Sequence, residues 1–182
     1  MAKPALLLAI VALIAAGCAS GTPDAPAVKP AVDDAFLVRI GSHQDTALAL
    51  AQAASRAASR PEVKRLAKRM AQTRERLRPA VQTRLAEVPP GNRLADLGVT
   101  PEQAGEAIHA DALTGAKPFD AAFLTVMQRH DRGALALAKA EIARGGDAEV
   151  KALARQLEVA LAGELNDVAQ ALTALARDAS SA

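Results

Sequence analysis

The chain has 182 residues, with 22 lysines and arginines against 20 acidic residues, and a single cysteine. It has no Trp, no Tyr and three Phe, so it offers no aromatic platform for bases or sugars, and its near-neutral charge argues against nucleic acid as a partner. One cysteine excludes an internal disulfide or a thiolate metal cluster.

Residues 1–17 read as a lipoprotein signal peptide. Lys3 gives a positive start, and the apolar run Ala5 to Ala16 is too short for a stable membrane span. The run ends in Ala15-Ala16-Gly17-Cys18, where small side chains fit a peptidase and the Cys18 thiol is placed to take a lipid. Residues 18–33 follow as the lipidated cysteine and a proline-containing tether. The expected location is the cell envelope, with the membrane as partner through an N-terminal lipid, and an envelope protein of unspecified kind as a further partner.

From residue 34 to 178 the pattern is helical throughout. Ala, Leu, Arg, Glu and Gln dominate, and no stretch alternates as a strand would. A first helix over about Asp34 to Ala58 carries the apolar row Phe36, Ile40, His43, Ala47, Leu50, Ala54. Ser59 is placed to cap a second helix and Pro61 fits its first turn. That helix shows Val63, Leu66, Met70, Leu77 and Val81 on one face, and Pro79 is expected to kink it or end it early. Pro89-Pro90-Gly91-Asn92 breaks the chain. Thr100-Pro101-Glu102-Gln103 forms a capping box for a short helix running to about Leu113, with His109 on its surface. A third long helix carries Phe123, Met127, His130, Ala134 and Leu137. Gly145-Gly146 stops it, and Asp147 caps a last helix with Val150, Leu153, Leu157, Leu161, Glu164, Val168, Leu172 and Leu175 on one face.

The chain repeats itself. Residues 36–67 align with 123–154 at a constant offset of 87 without a gap, and 14 of 32 positions are identical, among them Phe36/Phe123, Leu37/Leu124 and His43/His130. Two copies of one unit imply a pseudo-twofold arrangement. The expected fold is therefore all-α: a ferritin-like four-helix bundle of two repeated hairpins, about 34–86 and 118–178, joined by a long crossover at 87–117 with a short helix. Basic residues predominate over 61–86 and acidic ones over 147–178, which suits two neighbouring helices with complementary rims.

The stretch Pro118-Phe119-Asp120-Ala121-Ala122-Phe123-Leu124-Thr125-Val126-Met127-Gln128-Arg129-His130, with the lead-in Gly98-Val99-Thr100-Pro101-Glu102-Gln103, resembles the domain of unknown function family 305, a ferritin-like group of bacterial envelope proteins. A second ferritin-like envelope family of unknown function shares the Phe-Asp and spaced-His character. The resemblance to family 305 implies copper or silver chemistry at Met and His positions along one bundle seam, but most of those positions are substituted here. Ile40, Gln44 and Leu50 replace Met, His and Met in the first copy, and Asp131 and Leu137 replace His and Met in the second. The positions on the following helices hold Arg74, Leu77 and Val81, then Leu161, Glu164 and Val168, of which Glu164 alone matches.

What remains is a candidate metal set of Met127, His130, Asp131 and Glu164, with a secondary polar cluster of His43 and Arg74. Hairpin register sets His43 opposite Arg74 and His130 opposite Glu164, where a buried hydrogen bond would fix helix register. The expected function is binding or interaction by a lipid-anchored envelope protein with a degenerate metal site. The alternative is a copper chaperone or buffer using Met127, His130 and Glu164. The Glu-x-x-His motif of di-iron bundles, a phosphate loop and a nucleophile elbow are read as absent, so no enzymatic activity is expected.

Overall fold

A computed structural model describes residues 31–91 and 94–181. The expected signal peptide, Cys18 and most of the expected tether lie outside the described residues. Four long helices and one short one follow in order: α1 (Ala31–Ala57), α2 (Pro61–Leu85), α3 (Pro101–Ala104), α4 (Phe119–Arg144) and α5 (Ala148–Ser180). No strand occurs among the described residues, and none of their helices is long and apolar enough to cross a membrane.

The four long helices form a closed ring. α1 packs on α2 and α4, and α5 packs on α4 and α2. The apolar rows predicted for α1 and α4 are all buried, as are Val63, Leu66, Met70, Leu77 and Val81 of α2. The buried apolar side chains fall into two clusters. One holds Phe36, Ile40, Val81, Leu137, Val150 and Leu157, from the start of α1 and the end of α4. The other holds Leu50, Ala54, Val63, Met70, Phe123 and Met127, from the end of α1 and the start of α4. Each apolar stripe removed from water contributes roughly 25 cal/mol per Å² of area, and this drives the ring closed.

The two hairpin turns are tied by reciprocal caps. The Asp120 carboxylate, at the start of α4, accepts from the backbone N–H of Ser59 and Arg60 at 2.9 and 2.8 Å. The Asp33 carboxylate, at the start of α1, accepts from Gly146 N–H at 3.1 Å and Asp147 N–H at 2.9 Å. The offset of 87 maps Asp33 on to Asp120 and Ser59-Arg60 on to Gly146-Asp147. These contacts also show that α1 and α4 run antiparallel, since each begins beside the turn that ends the other.

Several boundaries differ from the sequence reading. α1 begins at Ala31, so the last three residues of the predicted tether are helical. Asp33 and Asp34 fall in that added first turn, where negative charge favours the helix dipole. Ser59 does not cap α2: Arg60 is the N-cap and no side-chain cap bond is made there, because Asp120 supplies the carboxylate from the other hairpin. α2 runs through Pro79 to Leu85. Pro79 and Glu75, one turn before it, are both exposed, so the carbonyl that loses its donor faces water. The Thr100–Gln103 capping box forms as expected, but α3 stops at Ala104, where Gly105 takes φ 71°. The predicted remainder of that helix, to Leu113, is a series of turns. Asp147 caps α5 as expected, accepting from Glu149 and Val150 N–H.

The connector lies across the α1/α4 side of the ring. Arg39 of α1 donates to the Val99 carbonyl at 2.8 Å and pairs with Glu106, and Arg144 of α4 donates to the Asp96 carbonyl at 2.8 Å. Leu97 and Leu113 are buried beneath it. The charge complementarity expected of the second and fourth long helices is present: Arg69 pairs with Asp167, and Arg84 with Asp147 and Glu149.

Candidate functional site

Between the two apolar clusters lies a polar belt. His43 and Gln44 come from α1, Arg74 from α2, His130 and Asp131 from α4, and Glu164 from α5; all are buried. They are inside because each sits at a core position of its helix row: His43 is seven residues after Phe36, and His130 seven after Phe123. The imidazoles of His43 and His130 meet face to tilted face, with ring centroids 4.5 Å apart and planes at 51°. The two histidines are equivalent under the offset of 87, so their contact marks the middle of the ring.

The rest of the belt is asymmetric. Arg74 is 1% exposed, and its Nη2 donates to Asp131 Oδ1 at 2.9 Å and to Glu164 Oε2 at 2.6 Å. The positions equivalent to Arg74, Asp131 and Glu164 are Leu161, Gln44 and Leu77. One guanidinium from the first hairpin therefore serves two carboxylates of the second. Burial pushes the Glu164 carboxyl up, to about 8, with the Asp131 charge acting the same way and Arg74 opposing both. The His43 imidazole is pulled down to about 3, first by burial and then by His130, Arg39 and Arg74. It is a neutral ring at any ordinary pH.

The expected pairings are revised accordingly. Glu164 takes its hydrogen bond from Arg74, not from His130. Arg74 is close enough to lower the basicity of His43, but its hydrogen bonds go across the bundle rather than to its own hairpin. His130 Nδ1 stands 3.7 Å from Asp131 Oδ1. Met127 is fully buried in the apolar cluster with Phe123 and Leu124. Among the described residues, no three histidine, cysteine or acidic side chains form a ready ligand set for a metal ion.

Sequence reasoning missed two groups. The first is Glu141, fully buried near the α4–α5 turn. Its carboxyl folds over Gly145, where an added Cβ would lie 1.9 Å from Glu141 Oε1. Burial, then a hydrogen bond to Asp33 and its charge, push the Glu141 carboxyl up to about 8. Asp33 accepts from the backbone of the turn beside it. Glu141 thus binds its proton more tightly folded than unfolded. Stability is full below about 4.5 and falls as pH rises toward 8, by on the order of 1 kcal/mol per unit. Glu141→Gln, which keeps a donor toward Asp33, will flatten this decline. Urea midpoints for both proteins from pH 5 to 9 check it, and parallel curves would show that Glu141 carries no such proton.

The second is the connector's own Glu106-Ala107-Ile108-His109. It is a Glu-x-x-His outside any long helix, and it corrects the sequence reading, which takes that motif as absent. Ser42, His43 and Thr46 of α1, His130 of α4, and Gly105, Glu106, Ile108 and His109 of the connector enclose a small cavity of about 80 Å³.

A ring of four antiparallel helices with a buried ion cluster at its waist defines the class: a four-helix bundle whose centre is polar. The chain belongs to the family described as domain of unknown function DUF4142, whose model matches residues 18–172. No curated protein matches it significantly. Among solved structures it is similar to a DUF305 fragment from Deinococcus radiodurans, at 24% identity and TM-score 0.66, covering 80% of this chain and 97% of that one. It is similar also to a protein called CopM in its Cu(II)-bound form, at 22% identity and TM-score 0.63, covering 79% and 97%. The likeness to family 305 is thus one of fold, while family membership falls to DUF4142.

Proposed function

We propose that this protein is a lipid-anchored bundle of the bacterial cell envelope that works by binding, and that the residues of its ancestral metal seam have largely become scaffold. The observation that carries this reading is Arg74. A guanidinium bonded to both Asp131 and Glu164 occupies the place a cation would need between those carboxylates. The reciprocal caps of Asp33 and Asp120, at one offset with the sequence repeat, support an origin by duplication of one hairpin. The Ala-Ala-Gly-Cys18 sequence supports the lipid anchor, and the family match begins at that same cysteine.

The second reading is copper binding at Met127, His130 and Glu164, which the Cu(II)-bound neighbour favours. An ion there must displace Arg74 from two ion pairs, and so this reading ranks below the first. Two measurements test the proposal. Cys18→Ser will move the protein from the membrane pellet to the soluble fraction; persistence in the pellet after a carbonate wash would disprove the anchor. Glu164→Gln will leave copper affinity of the full chain unchanged, whereas a tenfold or larger loss would restore the second reading.

A further inference from the structure

We propose that the open seam between α2 and α5 is a surface that lies against anionic phospholipid headgroups, with the exposed Val159 entering the lipid and Arg76 and Arg155 taking phosphates on either side of it. The inference rests on the lipid-anchored reading above and deepens it, by stating which side of the bundle turns toward the membrane.

The hairpins meet along two seams, one between α1 and α4 and one between α2 and α5. Under the offset of 87, α1 is equivalent to α4 and α2 to α5, so both seams lie on the pseudo-twofold axis. The connector lies across the first and leaves the second open. Along the second run two adjoining hollows of about 540 and 250 Å³, which share Arg76, Val159 and Ala160. Gly163 lines the smaller hollow, and a Cβ added to it would meet nothing within 4 Å. Val159 is 74% exposed, the most exposed large apolar side chain among the described residues.

The rim of the seam is basic. Arg69, Arg76 and Arg155 line it. Its two carboxylates are already paired, Asp167 with Arg69 and Glu164 with Arg74. Arg76 and Arg155 have no ion pair among the described residues. On α2, Arg65 and Lys68 add positive charge against Glu75, all three exposed. An apolar tip between two free guanidiniums suits a layer of phosphate over hydrocarbon, and arginine takes phosphate through paired N–H bonds. A second copy is a poor occupant, since this face would oppose its own cations.

The place of the anchor agrees. α2 ends and α5 begins beside the start of α1: Asp33 bonds Gly146 and Asp147, and Arg84 pairs with Asp147. At 1.5 Å per residue, Arg76 and Arg155 stand about 10–15 Å along their helices from that end. Twelve residues separate Cys18 from Ala31, and a chain of that length reaches at most about 40 Å. That reach lets the bundle lie on this side.

The test uses the full lipidated chain in phosphatidylcholine vesicles with and without phosphatidylglycerol. Val159→Cys carries a polarity-sensitive fluorophore, and Ala112→Cys, exposed on the connector, carries it as the control. The expected result is a blue shift of the label at position 159 on the anionic vesicles alone, with none at position 112. The shift will vanish near 1 M salt, where the screening length is about 3 Å. Arg76→Gln with Arg155→Gln will lower the bound-to-free ratio of the face by roughly tenfold or more, since each basic side chain near an anionic surface contributes about fivefold. Every substituted residue is exposed, so circular dichroism and urea midpoints will stay as in the parent. No shift on anionic vesicles overturns the inference, and so does an equal shift on both vesicles or at both labels. A shift on neutral vesicles that grows with protein density assigns the face to a second copy and overturns it. A shift that soluble polyglutamate produces as well as the anionic vesicles do assigns the face to an acidic protein and overturns it. Flotation of the wild type with neutral vesicles tests the anchor separately. A chain left behind there, yet captured by anionic vesicles and released by the two arginine changes, fails the anchor reading and supports the surface; one captured by neither overturns both.

Discussion

Replacing Arg74 with methionine will destabilise the bundle by about 3–5 kcal/mol, the usual cost of removing one partner from a buried ion pair. The guanidinium is 1% exposed, and Asp131 and Glu164, which it bonds, are 0% and 8% exposed. Without it, two carboxylates remain in a water-poor centre with no cation. Glu164 will respond by taking up a proton, since burial already holds it up near 8 against the pull of Arg74. The sign of the pH dependence follows. A raised folded-state value for Glu164 means that the variant binds a proton on folding, so its stability will be least impaired near pH 5 and will fall further toward pH 8. Urea midpoints and slopes at the two pH values check this. A triple variant, Arg74→Met with Asp131→Asn and Glu164→Leu, will recover most of the loss, because the penalty lies in the orphaned charges rather than in the missing attraction. A loss below about 1 kcal/mol in the single variant, the size expected of a solvent-exposed pair, would mean that the cluster is not the scaffold described here.

The second large effect concerns the connector. Gly133 of α4 lies against the backbone of α3, and a Cβ added to it would stand 1.8 Å from the Ala104 carbonyl oxygen and 2.2 Å from its carbon. Neither atom belongs to a side chain that can rotate away, so the two segments must part. Gly133→Ala will cost about 1–3 kcal/mol from overpacking, although alanine favours an isolated helix by roughly 1 kcal/mol. Much of the damage will be local. The backbone amides of residues 95–113 will lose hydrogen-exchange protection while α2 and α5 keep theirs, and the wall of the histidine cavity will open. Gly163→Ala on α5 is the matched control, since nothing lies within 4 Å of its added Cβ; that change will be neutral or stabilising. Equal exchange in Gly133→Ala and the parent would show that the connector is not seated as the geometry requires.

Much of this architecture is legible in the chain. Helical rows such as Phe36, Ile40, His43, Ala47 and Leu50 mark the buried faces of α1, because a period near 3.6 has one physical meaning. Asp147, Gly145 and the Thr100–Gln103 pair set their boundaries locally, through bonds within a few residues. The offset of 87 foretells that His43 and His130 are equivalent. His130 and Glu164 stand out in the sequence as polar groups in apolar rows, whereas Met127 and Asp131 enter the candidate set only through the resemblance to family 305.

Partner choice was decided only by tertiary structure. Ser59 is a plausible cap by local rules, yet Asp120 takes the turn because the opposite hairpin brings a carboxylate to it. Pro79 is a helix breaker by local rules, yet α2 continues because that side faces water. Arg74 looks destined for its own hairpin, and instead bridges to Asp131 and Glu164 across the ring. Glu141 and His109 carry no periodic signal of their roles; one is hidden by the close approach of the α4–α5 turn, the other is brought to the cavity by the connector. Periodicity and capping are short-range and so are written in neighbouring residues. Charge pairing and cavity walls depend on distances between segments dozens of residues apart, which the sequence alone determined only as far as the repeat: the ring closure of the bundle settled the rest.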